Sequence, residues 1–294
     1  MVLPNFLIVG TPKSGTTSLY HYLNQHPEIY FSSHKEPHFF SFIGEQKPHW
    51  GIKTIAEYEK LFEDATNEKA IGEASTWYLY SKSAAEQIKK YIPNVKLIII
   101  LRNPIERAYS SWAFQIQCGW ESIVDFEEAL QAEKNRMKNG CGWDFHYLHT
   151  GFYYKQIQRY FNLFSREQIK IYTHDDLKQN CTFVIKDIFD FLEVDNSFVP
   201  DTSIRHNSTR LPKNQLINLF FKKNSYYKEA IKALIPHSLR KKMREKVLYS
   251  NSSSTYNLSQ ELKAKYTLLY KDDILKTSEL SKLDFSHWLD LQSK

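Results

Sequence analysis

The sequence predicts an α/β fold, a central parallel sheet flanked by helices on both faces. Three observations lead there. Residues 6–9 (FLIV) are a short apolar run, followed by a turn over 10–15 bounded by Gly10 and Gly15, then a helical pattern over 16–24 with Leu19, Tyr20 and Leu23 on one side. Residues 94–101 (NVKLIIIL) repeat the outline: a buried strand, then Asn103 and Pro104 opening a helix that runs through Ala108 and Trp112. Further strand patterns at 70–73 and 169–172 alternate with helical ones near 55–62, 81–91, 152–164 and 182–192. Continuous apolar strands alternating with helices imply parallel pairing with both faces covered.

A chain of 294 residues fits one domain over 1–294, and 42% hydrophobic with 15% aromatic residues suits a packed core rather than a disordered chain. From 196 to 214 the pattern dissolves into Ser, Thr, Asn, Pro and Arg, which predicts a long loop. Residues 215–294 read as helical, broken by the polar SNSSST at 250–255 and closing with Phe285, Trp288 and Leu289, which are expected to dock on the core. The formal charge of +6, from 39 basic and 33 acidic residues, favours anionic ligands without marking a nucleic-acid binder. Cys118, Cys141 and Cys181 form neither a CxxC pair nor an even set, as expected of a reducing cytoplasm. Without an export signal or an apolar run of membrane length, a cytoplasmic protein with no membrane span is expected.

The segment GTPKSGTT at 10–17 lies between a strand and a helix start, where backbone N–H groups and the positive end of the helix dipole hold phosphate. A nucleoside-triphosphate loop ends in Gly-Lys-Ser/Thr, but here the lysine is Lys13, inside the loop, and Thr16 stands where that lysine would be. Magnesium-using relatives of such loops place an aspartate at the end of a neighbouring strand, whereas the strand at 95–101 ends in Arg102. An arginine there binds an anion directly and repels a metal, so a phosphate-bearing ligand handled without a divalent ion is inferred. An ordinary strand-to-helix turn is the plainer reading of the loop alone.

These residues resemble the sulfotransferases that use 3′-phosphoadenosine 5′-phosphosulfate (PAPS), especially heparan-type and bacterial members. FLIVGTPKSGTTSLYHYLNQHPEI at 6–29 looks like the family's 5′-phosphosulfate loop, LIIILRNPIERAYSSW at 97–112 like its 3′-phosphate segment, and KEPHFF at 35–40 like its acceptor-side segment. The match covers roughly the first two-fifths of the chain. Gly151, Phe152 and Tyr153 heading a helix, and the loop with Asn207 and Ser208, are weaker likenesses. The resemblance implies a phosphate-loop-like fold, PAPS as sulfuryl donor and the 3′,5′-bisphosphate (PAP) as product, with no metal. It implies that Lys13 stabilises the leaving phosphate, that Ser14, Gly15, Thr16, Thr17 and Ser18 cradle it, and that Arg102 and Ser110 bind the 3′-phosphate. Arg205, Arg210 and Lys213 would close a basic loop over the donor, a plain solvated loop being the alternative.

Glu36 matches the family's general base, with Lys35 holding the sulfonate; His34 and His38 are rival bases, and a surface glutamate beside Lys35 is the plainer alternative. A carboxylate in this role needs a raised pKa or positioning in a dry site, which Phe39 and Phe40 could supply. Glu73, Ser75 and Tyr78 occupy positions where the family places acceptor contacts, though a capped helix start explains them equally well. His21 and His26 read as structural. The nine Lys and Arg residues over 222–246 form either a solvated face or an attraction for an acidic acceptor. The resulting expectation is a bacterial sulfotransferase acting on a hydroxyl or amine of a small molecule, such as a natural product or metabolite, or of a carbohydrate. A nucleotide-kinase-like phosphotransferase and an inactive donor-fold binding protein are the competing readings.

Overall fold

In a computed structural model of the chain, residues 2–42, 51–204 and 258–290 are described, together with the backbone of 211–212 and 252–253. The chain divides into two compact units, one of Met1–Arg107, Thr150–Asn207 and Tyr266–Lys294, the other of Ala108–His149 and Ser208–Lys265.

The first unit holds the sheet. Strands β1 (Phe6–Gly10), β2 (Ile29–Phe31), β3 (Ala70–Ala74), β4 (Lys96–Leu101) and β5 (Ile169–Thr173) lie in the order β2-β3-β1-β4-β5, every pair parallel. Strands β2 and β3 are laid on one side of β1 and β4 and β5 on the other, so the order reverses at β1. In open parallel sheets, ligands collect beyond the carboxyl ends of the strands at such a reversal. The ends gathered there are Gly10, Ala74 and Leu101.

The apolar runs read from the sequence become strands buried on both faces. On one face Phe6, Ile8, Ile98 and Ile100 join Leu19 and Leu23 of helix α1 (Thr16–Leu23) and Ile185, Ile188 and Phe189 of helix α8 (Cys181–Leu192) in a single core. The alternate residues Leu7, Val9, Leu97, Ile99 and Leu101 are equally inaccessible. Each such side chain contributes about 2 kcal/mol by leaving water.

Helices α2 (Ile55–Glu59), α3 (Ala84–Tyr91) and α6 (Tyr153–Phe161) fall where the sequence predicts them, α2 continuing as a 3-10 turn over Lys60–Phe62. Helix α4 (Pro104–Cys118) begins at the anticipated proline and extends beyond Trp112. Strand β2, helix α5 (Phe126–Lys138) and helix α7 (His174–Gln179) are additional elements. In the second unit, Asp125 caps α5 by accepting from the Glu128 N–H at 2.9 Å, and the Glu121 carboxylate accepts from the two terminal guanidinium nitrogens of Arg136, at 2.6 and 2.8 Å.

Residues 196–204 carry no helix or strand, and residues 211–212 and 252–253 form a two-residue antiparallel pair. Of the stretch expected to be helical, Gln260–Ser281 is helix α9, while the basic run over 222–246 lies outside the described residues. Phe285 and Trp288 stack with ring centres 4.5 Å apart, both buried, and the Asn103 side chain donates to the Trp288 carbonyl at 3.4 Å.

Candidate active site

The loop after β1 leaves the sheet at Gly10, where a Cβ would come within 2.7 Å of the Leu79 Cβ. It enters α1 through Gly15 at φ 96°, a left-handed conformation that glycine adopts without steric cost. The Gly15 N-cap makes no side-chain cap hydrogen bond and no acidic residue lies in the first turn of α1, so no side-chain charge of that turn opposes its positive pole. The hydroxyls of Thr11 and Ser14 are buried without hydrogen-bond partners among the described residues. Buried polar groups ordinarily find partners, and these two hydroxyls beside an uncapped helix start fit an anion such as phosphate.

Lys13 has φ 69°, and its carbonyl accepts from an Arg102 guanidinium nitrogen at 3.2 Å. The end of β4 is thereby clasped to the loop. Arg102 is held from a second side by Tyr153, whose hydroxyl donates to the Arg102 carbonyl at 2.8 Å, and its Nε lies 3.8 Å from Glu106. Thr16 is buried, Thr17 and Ser18 are half-buried on the first turn of α1, and Ser110 is buried on α4 within the second unit. Arg205, Arg210 and Lys213 lie outside the described residues.

The segment 35–40 comes to the same place. Lys35 Nζ donates to the Thr17 hydroxyl at 3.2 Å and to Glu36 at 3.4 Å, with its ammonium 5.6 Å from the centre of the Tyr20 ring. One lysine thus ties the carboxylate to the first turn of α1. Glu36 and His38 both adopt left-handed backbone, at φ 58° and 52°. Non-glycine residues take that conformation only where the surroundings impose it, and such residues gather at functional sites. His38 Nε2 lies 3.7 Å from the Glu36 carboxylate. Burial works to raise the Glu36 carboxyl, but the neighbouring His38 imidazole and the Lys35 ammonium outweigh it and hold it below the usual glutamate value. The raised value anticipated above for a carboxylate base is therefore not found at Glu36.

Two expectations are corrected. Glu73, Ser75, Tyr78 and Phe40 are completely buried and present no surface to an acceptor. The residues after β3 form a turn over Thr76–Tyr80 and not a capped helix start. Phe40 belongs to an aromatic cluster with Phe39, Tyr58 and Tyr78, ring centres 5.0 to 5.6 Å from its own. The turn is pinned from α6, where Tyr160 donates to the Tyr78 carbonyl at 2.9 Å and Arg159 to the Leu79 carbonyl at 2.9 Å. Ser75 accepts from the His38 N–H at 2.9 Å, so this group shapes the 35–40 segment from behind. Tyr58, absent from the expectations, donates to Glu73 at 3.0 Å across fifteen residues of sequence, a partnership no local pattern reveals.

His26 is structural, as expected: one ring nitrogen contacts the Asp195 carbonyl at 2.8 Å and the other accepts from the Glu28 N–H at 3.0 Å. His174, at the start of α7, lies 3.4 Å from where a Cβ on Gly15 would be, so α7 borders the phosphate loop.

The model of the sulfotransferase domain family matches residues 3–271. The chain belongs to the sulfotransferase family. A sulfotransferase from Alicyclobacillus acidocaldarius of known crystal structure superimposes with a TM-score of 0.78, at 27% identity, covering 99% of this chain and 100% of that one. The membrane-associated sulfotransferase kil1 of Dictyostelium discoideum is 26% identical over 76% of this chain and 64% of its own length. Human carbohydrate sulfotransferase 15 is 26% identical over 65% of this chain and 44% of its own length. The alignments thus span less than two thirds of these two curated relatives. Membership sets aside the nucleotide-kinase alternative and agrees with the parallel sheet. No helix among the described residues is long and apolar enough to cross a membrane.

Proposed function

We propose that this sulfotransferase moves a sulfuryl group from PAPS to a hydroxyl or amine of a carbohydrate, with the Glu36 carboxylate receiving the acceptor's proton. The observation that carries this reading is the Lys35 bridge, which sets Glu36 one side chain away from Thr17 and the N-terminus of α1. Bound donor supplies an activated sulfuryl group whose leaving group is a phosphate. The acceptor's oxygen or nitrogen forms the new bond to sulfur as the bond from sulfur to the phosphate oxygen breaks, and the acceptor's proton passes to Glu36.

Negative charge then grows on the phosphate side. The N–H groups at the start of α1, the Ser14 hydroxyl, and the cations Lys13 and Lys35 are the groups of this chain suited to receive it. Fixed donors stabilise such charge without reorganising, and the strained, clasped loop keeps them fixed. Arg102, whose guanidinium donates to the Lys13 carbonyl and whose backbone carbonyl accepts from Tyr153, would take a second anionic group, the 3′-phosphate, at the end of β4.

A carbohydrate acceptor is supported by the likeness to a carbohydrate sulfotransferase. Incubation with PAPS and a panel of glycans, amino sugars and small hydroxylated metabolites, read by mass spectrometry, tests this. Addition of a single sulfuryl group to a sugar is expected. Transfer confined to non-sugar metabolites would reassign the acceptor, and no transfer to any member would favour a binding role.

A further inference from the structure

Gly151, Phe152 and Tyr153, which lead into α6, take no part in the chemistry proposed above, yet they meet the strand end that carries Arg102. Strand β4 makes its last pair at Leu101, opposite Thr173, and α4 begins at Pro104, so Arg102 and Asn103 form a two-residue junction between sheet and helix. Backbone groups at such a junction lie outside the regular ladders and take partners from elsewhere in the fold. The Tyr153 hydroxyl donates to the Arg102 carbonyl at 2.8 Å. The Asn103 side chain donates to the Trp288 carbonyl at 3.4 Å and accepts from the Ile105 N–H at 3.2 Å.

Tyr153 is itself firmly seated. It is 1% exposed, its N–H donates to the Asp273 side chain of α9 at 2.7 Å, and its ring centre lies 6.3 Å from that of Trp288. Burial pushes the phenol up to about 12, so the hydroxyl is a donor throughout the neutral range. Phe152 packs on the Tyr270 ring of the same helix, centres 4.8 Å apart. A Cβ on Gly151 would stand 3.0 Å from the Pro104 Cβ and 3.0 Å from the Tyr270 ring, so a larger residue there would push the turn away from the first residue of α4.

We propose that Tyr153 is a positioning residue for the donor: its hydroxyl fixes the Arg102 backbone so that the guanidinium, which reaches the Lys13 carbonyl at 3.2 Å, meets the donor's 3′-phosphate. This rests on the reading of Arg102 as the 3′-phosphate ligand. The arginine is held at both ends, its backbone from α6 and its guanidinium from the phosphate loop, and a forked arginine–phosphate contact depends on that alignment. Without the phenol hydroxyl the Arg102 carbonyl loses a partner and the junction can turn. Tyr153 thereby sets how strongly the chain prefers a nucleotide carrying a 3′-phosphate over one that lacks it.

The test is calorimetric titration with adenosine 3′,5′-bisphosphate and with adenosine 5′-phosphate on the full-length wild type, Tyr153→Phe, Gly151→Ala, Arg102→Ala and the Arg102→Ala/Tyr153→Phe double variant. The wild type is expected to prefer the bisphosphate. In Tyr153→Phe that preference is expected to shrink at least about fivefold while adenosine 5′-phosphate affinity stays within about twofold. Arg102→Ala is expected to lose the preference, and adding Tyr153→Phe to it to take nothing further. An unchanged preference in Tyr153→Phe would overturn the proposal. So would an equal loss of both affinities, the mark of a purely structural role, or additive losses in the double variant. Should Tyr153→Phe fail to fold, Gly151→Ala, which displaces the turn and keeps the hydroxyl, decides by the same ratio. Equal affinities in the wild type, or a preference that survives Arg102→Ala, would instead refute the reading of Arg102 and the proposal with it.

Discussion

Glu36 sits between Lys35 and His38, a placement that, for the proposed base, governs how the reaction responds to acid. Its carboxyl lies below the usual glutamate value, so it is ionised throughout the neutral range and accepts protons only as pH falls beneath that value. A carboxylate base therefore predicts a kcat profile flat through neutrality, with an acid limb below about 4.5. A histidine base would place the limb near about 6.5. Glu36→Gln, which keeps shape and loses basicity, is expected to lower kcat by about 100-fold or more while bisphosphate affinity stays within twofold. Turnover near wild type in this variant, with a limb near that of histidine, would transfer the role to His38. The nearness of Lys35, Glu36 and His38 was legible in the residues, because they share one short segment. The burial of Glu73, Tyr78 and Phe40 was not, because it depends on α2, α6 and the turn after β3 closing around them. No run of neighbouring residues encodes that closure.

At the scale of elements, the phosphate loop is braced on two sides, by Arg102 from the end of β4 and by α7 next to Gly15. Helix α7 is itself anchored: Thr173 caps it by accepting from the Asp176 N–H at 3.0 Å, and Asp176 reaches back to the Thr173 N–H at 2.8 Å. Asp175, between them, lies 3.9 Å from His174 and 3.6 Å from His287. The adjacent His174 imidazole, aided by the charge of His287 and opposed by burial, brings its carboxyl down to about 2. Because the folded-state value lies below the usual aspartate value of about 3.9, the group stabilises the fold above that pH, and the contribution disappears as pH falls toward 2. Asp175→Asn is thus expected to lower the melting temperature at pH 7 and to melt with wild type near pH 2, checked by thermal scans across that range. An unchanged gap at every pH would assign the effect to packing. The two strand–loop–helix units were readable since their apolar runs are continuous and glycine or proline punctuates them. Strand β2 has three residues and α7 six, too few for a periodicity to show, whereas α5 carried a readable signal in Asp125, three residues before Glu128.

For the whole molecule, the sheet reverses at β1 and gathers the phosphate loop, the Arg102 strand end and the 35–40 segment at its carboxyl edge. The parallel architecture could be foreseen because strands buried on both faces leave continuous apolar sequence, as in LIIIL at 97–101. The acceptor could not, since no short motif among these residues carries its chemistry. The central claim is that fixed backbone amides and side-chain cations of this edge grip a doubly phosphorylated adenosine without help from a divalent ion. Calorimetric titration of the full chain with adenosine 3′,5′-bisphosphate, in chelator and again with magnesium, tests it most directly. Saturable binding of equal affinity in both buffers is the predicted result. Absence of binding, or binding only when magnesium is present, would contradict it.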